Sequence, residues 1–138
     1  GSERAEAILP HVEALARSFD SRVIFLQVVE PPRIAGYEGF DPHAYQQELA
    51  YLDKQAQSYL QKVTGRFEQK GLKTESKAAQ GSVVSTILET AEDLDARLIA
   101  MASHGRGGLA RVFYGSVAAG VLQRIDRPIL VIRSRQES

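Results

Sequence analysis

The sequence predicts an α/β fold, a doubly wound and mainly parallel sheet flanked by helices. Three observations carry that prediction. Apolar runs of strand length recur at Val23 to Val29, Leu98 to Ala102 and Ile129 to Ile132. Segments with apolar residues at helical spacing separate them, and glycines sit where a strand gives way to a helix. Runs that are apolar on both faces suit parallel strands covered by helices on either side.

Taken in order, Ser2 is placed to cap a first helix with Glu3 in its opening turn. Ala5, Ile8, Leu9, Val12, Leu15 and Ala16 share one face of that helix, which runs to about Phe19. Val23 to Val29 is rich in β-branched residues and reads as a central strand. Its end, Val28-Val29-Glu30, falls at the carboxyl edge of the sheet, where open α/β sheets bind ligands. Pro31-Pro32, Gly36 and Gly39, with Tyr37 and Phe40 among them, make an irregular loop. Asp41-Pro42 then supplies a helix cap followed by proline at the first helical position. Leu49, Leu52, Ala56, Tyr59, Leu60, Val63 and Phe67 form the apolar stripe of this second helix, which ends near Gly71.

Leu72 to Ala79 alternates small or apolar with charged residues, as an edge strand with one wet face does. Gly81-Ser82 opens a third helix with Val83, Val84, Ile87, Leu88 and Ala91 inward, and Asp93 to Asp95 closes it. Arg97 to Ala102 is the next strand. Leu109 to Tyr114 suits a short helical turn, and Gly115-Ser116 opens a last helix with Val117, Val121 and Ile125 at helical spacing. That helix ends near Asp126-Arg127-Pro128, and Ile129 to Ile132 is the last strand.

The chain of 138 residues, 43% of them hydrophobic, is long enough for one sizeable core and reads as a single domain over residues 1–138. Lys plus Arg equals Asp plus Glu at 17 each, so no net field draws the protein to nucleic acid or to an anionic membrane. The absence of cysteine excludes a disulfide framework, a thiolate metal site and a cysteine nucleophile. No apolar run approaches the roughly 20 residues of a membrane helix, and nothing has the pattern of a signal peptide. A soluble, cytoplasmic protein is therefore expected.

Chemistry concentrates in Met101-Ala102-Ser103-His104-Gly105-Arg106-Gly107-Gly108 and in Gly115-Ser116-Val117. A strand, a glycine-dense loop and a helix start describe an anion site, because glycine lets backbone N–H groups approach a ligand and the helix start leaves orphan donors. The same residues also suit a plain turn followed by a capped helix. The lysine of a phosphate loop is missing, as is the spacing of a dinucleotide fingerprint. Catalytic groups are scattered: of His11, His43 and His104, only His104 lies by this segment. No His-x-x-x-His pair or carboxylate cluster marks a metal site, and Ser116 has no evident base to make it a nucleophile. Binding rather than turnover is expected, which argues against a hydrolase or a nucleotidyl-transfer enzyme.

The segment resembles the signature of the universal stress protein family: a glycine, two residues, a second glycine, nine residues, then Gly-Ser or Gly-Thr. Here Gly105 is the second glycine, Arg106 to Tyr114 the nine residues and Gly115-Ser116 the closing pair, with Ala102 in place of the first glycine. Similarity also runs through Gly1-Ser2-Glu3, Gln27-Val28-Val29-Glu30, Gly81 and Arg127-Pro128-Ile129-Leu130-Val131-Ile132. The resemblance implies a five-stranded sheet of the adenine nucleotide alpha hydrolase type. The family's first, central strand carries an aspartate that contacts nucleotide, and neither is in this sequence. A strand from a stretch missing here, or from another chain, is the expectation.

The resemblance further implies ATP as ligand, with any magnesium held by the phosphates. Val28 would meet adenine, and Met101, Ala102, Ser103, His104, Gly105, Arg106, Gly108, Gly115, Ser116 and Val117 would surround ribose and phosphates. It implies a homodimer through the strand Ile129 to Ile132, and a regulatory role in stress resistance with at most slow ATP hydrolysis. The alternative is a nucleotide-free interaction module of the same fold, which the extra methyl of Ala102 favours.

Overall fold

A computed structural model describes residues 5–32, 36, 39–104 and 116–134. A 3-10 turn, Ala5–Ile8, leads into α1 (Leu9–Phe19), β1 (Val23–Val29), α2 (Pro42–Gln69), β2 (Thr74–Gln80), α3 (Val83–Asp93), β3 (Ile99–His104), α4 (Ser116–Arg124) and β4 (Ile129–Ser134). Strands and helices alternate as expected of an α/β fold.

The strands form two parallel pairs. β1 lies beside β2 with Val23 opposite Thr74 and Val29 opposite Gln80. β3 lies beside β4 with Ile99 opposite Ile129 and His104 opposite Ser134. Among the described residues no ladder joins the pairs. Of the five strands implied by the resemblance, the first of which is expected to be missing from this sequence, four are described, in two parallel pairs. Helices make the connection instead. α2 packs on β1 and β2, α3 packs on both β1 and α4, and the 3-10 turn packs on β3 and β4.

Burial follows the helical period. Ala56, Leu60, Val63 and Phe67 of α2 are all buried, and the edge of one ring in the Phe25–Phe67 pair meets the other's face at 5.0 Å. Each such large apolar side chain taken from water contributes roughly 1.5–3 kcal/mol. On the other helices Ala91, Ala118 and Val121 are buried, Val121 completely. α2 has 28 residues and a length of about 42 Å, whereas the seven-residue strands beside it span about 23 Å. Its first half, residues 42–55, therefore extends past the carboxyl edge and buries no side chain fully.

Local signals place the helix ends. The Asp41 carboxylate accepts from the His43 N–H at 2.9 Å ahead of Pro42, as the cap reading anticipates. Gly71, at φ +80°, lets the chain leave α2. α1 begins later than expected: Ala5–Ile8 is 3-10 and the α-helix starts at Leu9 with no side-chain cap. Pro10 is the reason, since it has no N–H to return to the preceding turn. Ser2 lies outside the described residues.

Two arginines satisfy carbonyls that helices leave open. Arg127 Nη1 donates to the Ala91 and Ala96 carbonyls, each at 2.8 Å, and so ties the α4–β4 turn to the end of α3. Arg17 Nη2 donates to the Lys70 carbonyl at the end of α2. Glu13 completes that corner by accepting from Lys70 Nζ at 2.8 Å and from Arg17 Nη2 at 3.2 Å.

Two predictions follow from the packing and the corner. A Cβ at Gly120 would lie 2.8 Å from Val84 Cγ2, a stiff side chain that cannot swing away. Gly120→Ala is expected to lose about 1 kcal/mol in urea unfolding, since overpacking outweighs the gain in helix preference. Combined with Val84→Ala, its cost disappears. The Lys70 ammonium, ahead of Arg17, holds the Glu13 carboxyl below its ordinary value despite partial burial. A lowered carboxyl pKa adds stability above the unfolded value of about 4.3, and that stability is lost as pH falls below it. Lys70→Met is therefore expected to lower Tm slightly at neutral pH and to shrink the fall in Tm on acidification.

Candidate functional site

Each parallel pair brings two strand ends to one edge, and the residues expected to bind ligand occupy those ends. β1 finishes at Val28 and Val29. Val28 is half-buried and opposite Ala79, while Val29 is buried and its carbonyl accepts from the Gly81 N–H at 3.2 Å. Gly81 adopts φ +146°, and a Cβ there would lie 2.6 Å from Thr86 Oγ1. Only glycine lets the chain leave β2 and enter α3 within two residues. The close approach to Thr86 was not legible in the sequence, where Gly81 suits equally a position near a ligand and a helix-entry turn.

β3 carries the first half of the motif. Met101 pairs with Val131, Ala102 with Ile132, Ser103 with Arg133 and His104 with Ser134. The strand thus continues two residues beyond Ala102, the end expected from hydropathy, because the ladder to β4 holds polar residues extended as readily as apolar ones. Met101 and Ala102 are both half-buried. Among described non-glycine residues, only Asp20 and Asp95 have positive φ. Ala102 thus occupies ordinary strand backbone, and its methyl introduces no conformational strain where the motif has glycine.

The second half of the motif begins α4. Ser116 is the first residue of that helix and is exposed, Val117 is half-buried, and Ala118 and Val121 anchor the helix beneath them. The first turn of a helix holds N–H groups with no intrahelical acceptor, and they carry the positive end of the helix dipole. A helix of nine residues anchored in this way can present those donors to an anion. Gly105, Arg106, Gly108 and Gly115 lie outside the described residues, as do Arg111 and the helical turn expected at Leu109 to Tyr114.

The structure therefore places Val28 at the end of one pair, Met101 to His104 at the end of the other, and Ser116 and Val117 at a helix start. α3, which begins at the first of these ends and packs against α4, links the two groups. Among the described residues no group of three His, Asp or Glu side chains is arranged to hold a metal ion. No helix among them is long and apolar enough to cross a membrane.

Known proteins are similar to this chain in sequence and in fold. Universal stress protein MJ0531 of Methanocaldococcus jannaschii is 31% identical over 133 residues, covering 96% of this chain and 77% of its own. The structure of MJ0577 from the same organism superposes with a TM-score of 0.80 at 26% identity, covering 99% of this chain and 92% of that one. A universal stress protein from Archaeoglobus fulgidus, solved in complex with dAMP, superposes with a TM-score of 0.61 at 21% identity, over 96% and 90% of the two chains. The profile of the universal stress protein family matches residues 1–133, from ahead of the 3-10 turn through nearly all of β4. With the family profile matching residues 1–133 and a relative 31% identical over nearly the whole chain, the chain belongs to the universal stress protein family.

Proposed function

We propose that this protein binds an adenine nucleotide, ATP in the reading that its motif supports, and acts through that binding rather than through fast catalysis. The observation that carries the proposal is the flanking of the glycine segment by a strand end and a helix start. β3 delivers Ser103 and His104 to the carboxyl edge, and α4 opens at Ser116. The dAMP held by the Archaeoglobus fulgidus relative supports an adenine nucleotide as ligand.

In this proposal the backbone amides of Gly105, Gly115 and Ser116 hold the phosphates, Arg106 adds positive charge, and the backbone of Val28 meets the adenine ring. Met101, Ala102, Ser103, His104, Gly108 and Val117 line the ribose and phosphates. Any magnesium is held by the phosphates themselves. Nucleotide changes behaviour only by binding one of two states more tightly, and a homodimer through β4 supplies such a pair of states. The cytoplasm is the proposed location. A nucleotide-free interaction module is the second reading, favoured by the methyl of Ala102 at a position where the motif has glycine.

Isothermal titration separates the two. Saturable heat with ATP is expected, and Gly115→Val is expected to abolish it while leaving the unfolding transition in place. Ala102→Gly is expected to tighten ATP binding by about tenfold if the methyl abuts the ligand, a gain of about 1.4 kcal/mol. No heat with ATP, ADP or AMP would overturn the nucleotide proposal and leave the interaction module.

A further inference from the structure

We propose that the contact between Val84 of α3 and Gly120 of α4 sets the spacing between the two ends of the nucleotide site, and with it a preference for a whole nucleotide over its free phosphates. The inference rests on the nucleotide reading above and names the pair that positions that site. Both residues act through α4 and neither meets the ligand.

The need for a spacer comes from the strands. β1 pairs with β2 and β3 with β4, and among the described residues no ladder joins the two pairs. Val28, the base end of the site, belongs to the first pair, whereas Ser116 opens the helix that packs on β3 of the second. Strand hydrogen bonds among these residues therefore do not hold one end of the site against the other. α3 bridges them. It starts beside the end of β1, where the Gly81 N–H donates to the Val29 carbonyl at 3.2 Å, and it packs on both β1 and α4.

Gly120 is a point where α3 and α4 leave no room between them. A Cβ there would lie 2.8 Å from Val84 Cγ2 and 3.5 Å from Val84 Cγ1. Valine in a helix keeps essentially one side-chain conformation, so it cannot swing aside. Carbon atoms ordinarily stand about 3.5 Å apart or more, so a methyl group at position 120 would part the helices by roughly 0.7 Å. Groups that bind a ligand together need to be held within about 0.5 Å of their working positions. The displacement exceeds that tolerance.

The direction of the movement follows from where α4 is tied down. Arg124 Nη1 donates to Ser85 Oγ at 3.2 Å, and Arg127 Nη1 donates to the Ala91 carbonyl at 2.8 Å. Both ties lie at or beyond the last turn of α4, which ends at Arg124, while Gly120 lies about one turn after Ser116. A wedge at position 120 therefore shifts the start of α4, with its N–H groups, more than its end. A ligand that reaches from Val28 to Ser116 feels the shift. One held by the helix start alone moves with it.

ATP and tripolyphosphate are the two probes, titrated calorimetrically into the whole chain. Gly120→Ala is expected to weaken ATP binding by about tenfold while leaving tripolyphosphate unchanged. Adding Val84→Ala to that variant is expected to restore ATP affinity, because it removes the atoms that the new methyl meets. Should Gly120→Ala show no cooperative urea transition, Val84→Ala alone carries the test, with a loss of about threefold for ATP and none for tripolyphosphate. A general loosening of the protein would lower both ligands together. Equal losses for the two ligands, undiminished ATP affinity in the Gly120→Ala protein, no recovery in the double variant, or a parent that takes ATP but no tripolyphosphate would each overturn the proposal and leave nucleotide binding standing. A parent with no heat for ATP, ADP or AMP removes the nucleotide reading itself, and this inference with it.

Discussion

The packing of the second half of α2 on β1 and β2 is the constraint from which the rest of the molecule takes its shape. Four buried side chains, Ala56, Leu60, Val63 and Phe67, follow the helical period along this contact. The helix must return the chain from the carboxyl end of β1 to the amino end of β2, since the strands are parallel. Once that crossover is made, both strand ends face one way, and the turn at Gly81 starts α3 from the same edge. A polar residue at any of the four positions would lose its hydration and find no partner in return.

Close approaches and capped carbonyls then hold the two strand pairs in one body. At Gly120 the α3–α4 contact is tight enough to exclude a methyl group, and at Gly81 the backbone passes against Thr86. Arg127 closes the end of α3 and Arg17 the end of α2. These polar ties stand at helix ends, where four carbonyls lack intrahelical donors; the buried residues among those described are apolar except for Thr86 and Thr90 of α3. At the edge opposite the strands' carboxyl ends, the ends of α2 and α3 have carbonyls engaged by Arg17 and Arg127, while at the start of α2 Asp41 takes the His43 N–H.

A binding site made from backbone donors differs in its demands from one made from catalytic side chains. It needs a strand end, a helix start and little bulk between them, and it needs no titrating group. Among the described residues β3 supplies a strand end and α4 a helix start. Those two ends explain how a protein of balanced charge and scattered histidines can still have a chemically defined edge.

Features set by near neighbours in the chain were legible from the residues alone. Asp41-Pro42 begins a helix and Gly71 ends it because a cap and a left-handed residue act within a turn. The buried stripe of α2 was legible because a helix repeats every 3.6 residues. Other features were decided only by the tertiary structure. β3 extends through Ser103 and His104 because β4 lies beside it, and the strands divide into two pairs because ladder bonds depend on which backbones meet. Arg66 finds a carboxylate because Glu6, in a 3-10 turn some 60 residues earlier in the chain, stands across from it. Sequence by itself determined the period, the Asp41 cap and the family; contacts between distant segments determined where strands end and which surfaces meet, since hydrogen-bond partners belong to pairs of surfaces rather than to single residues.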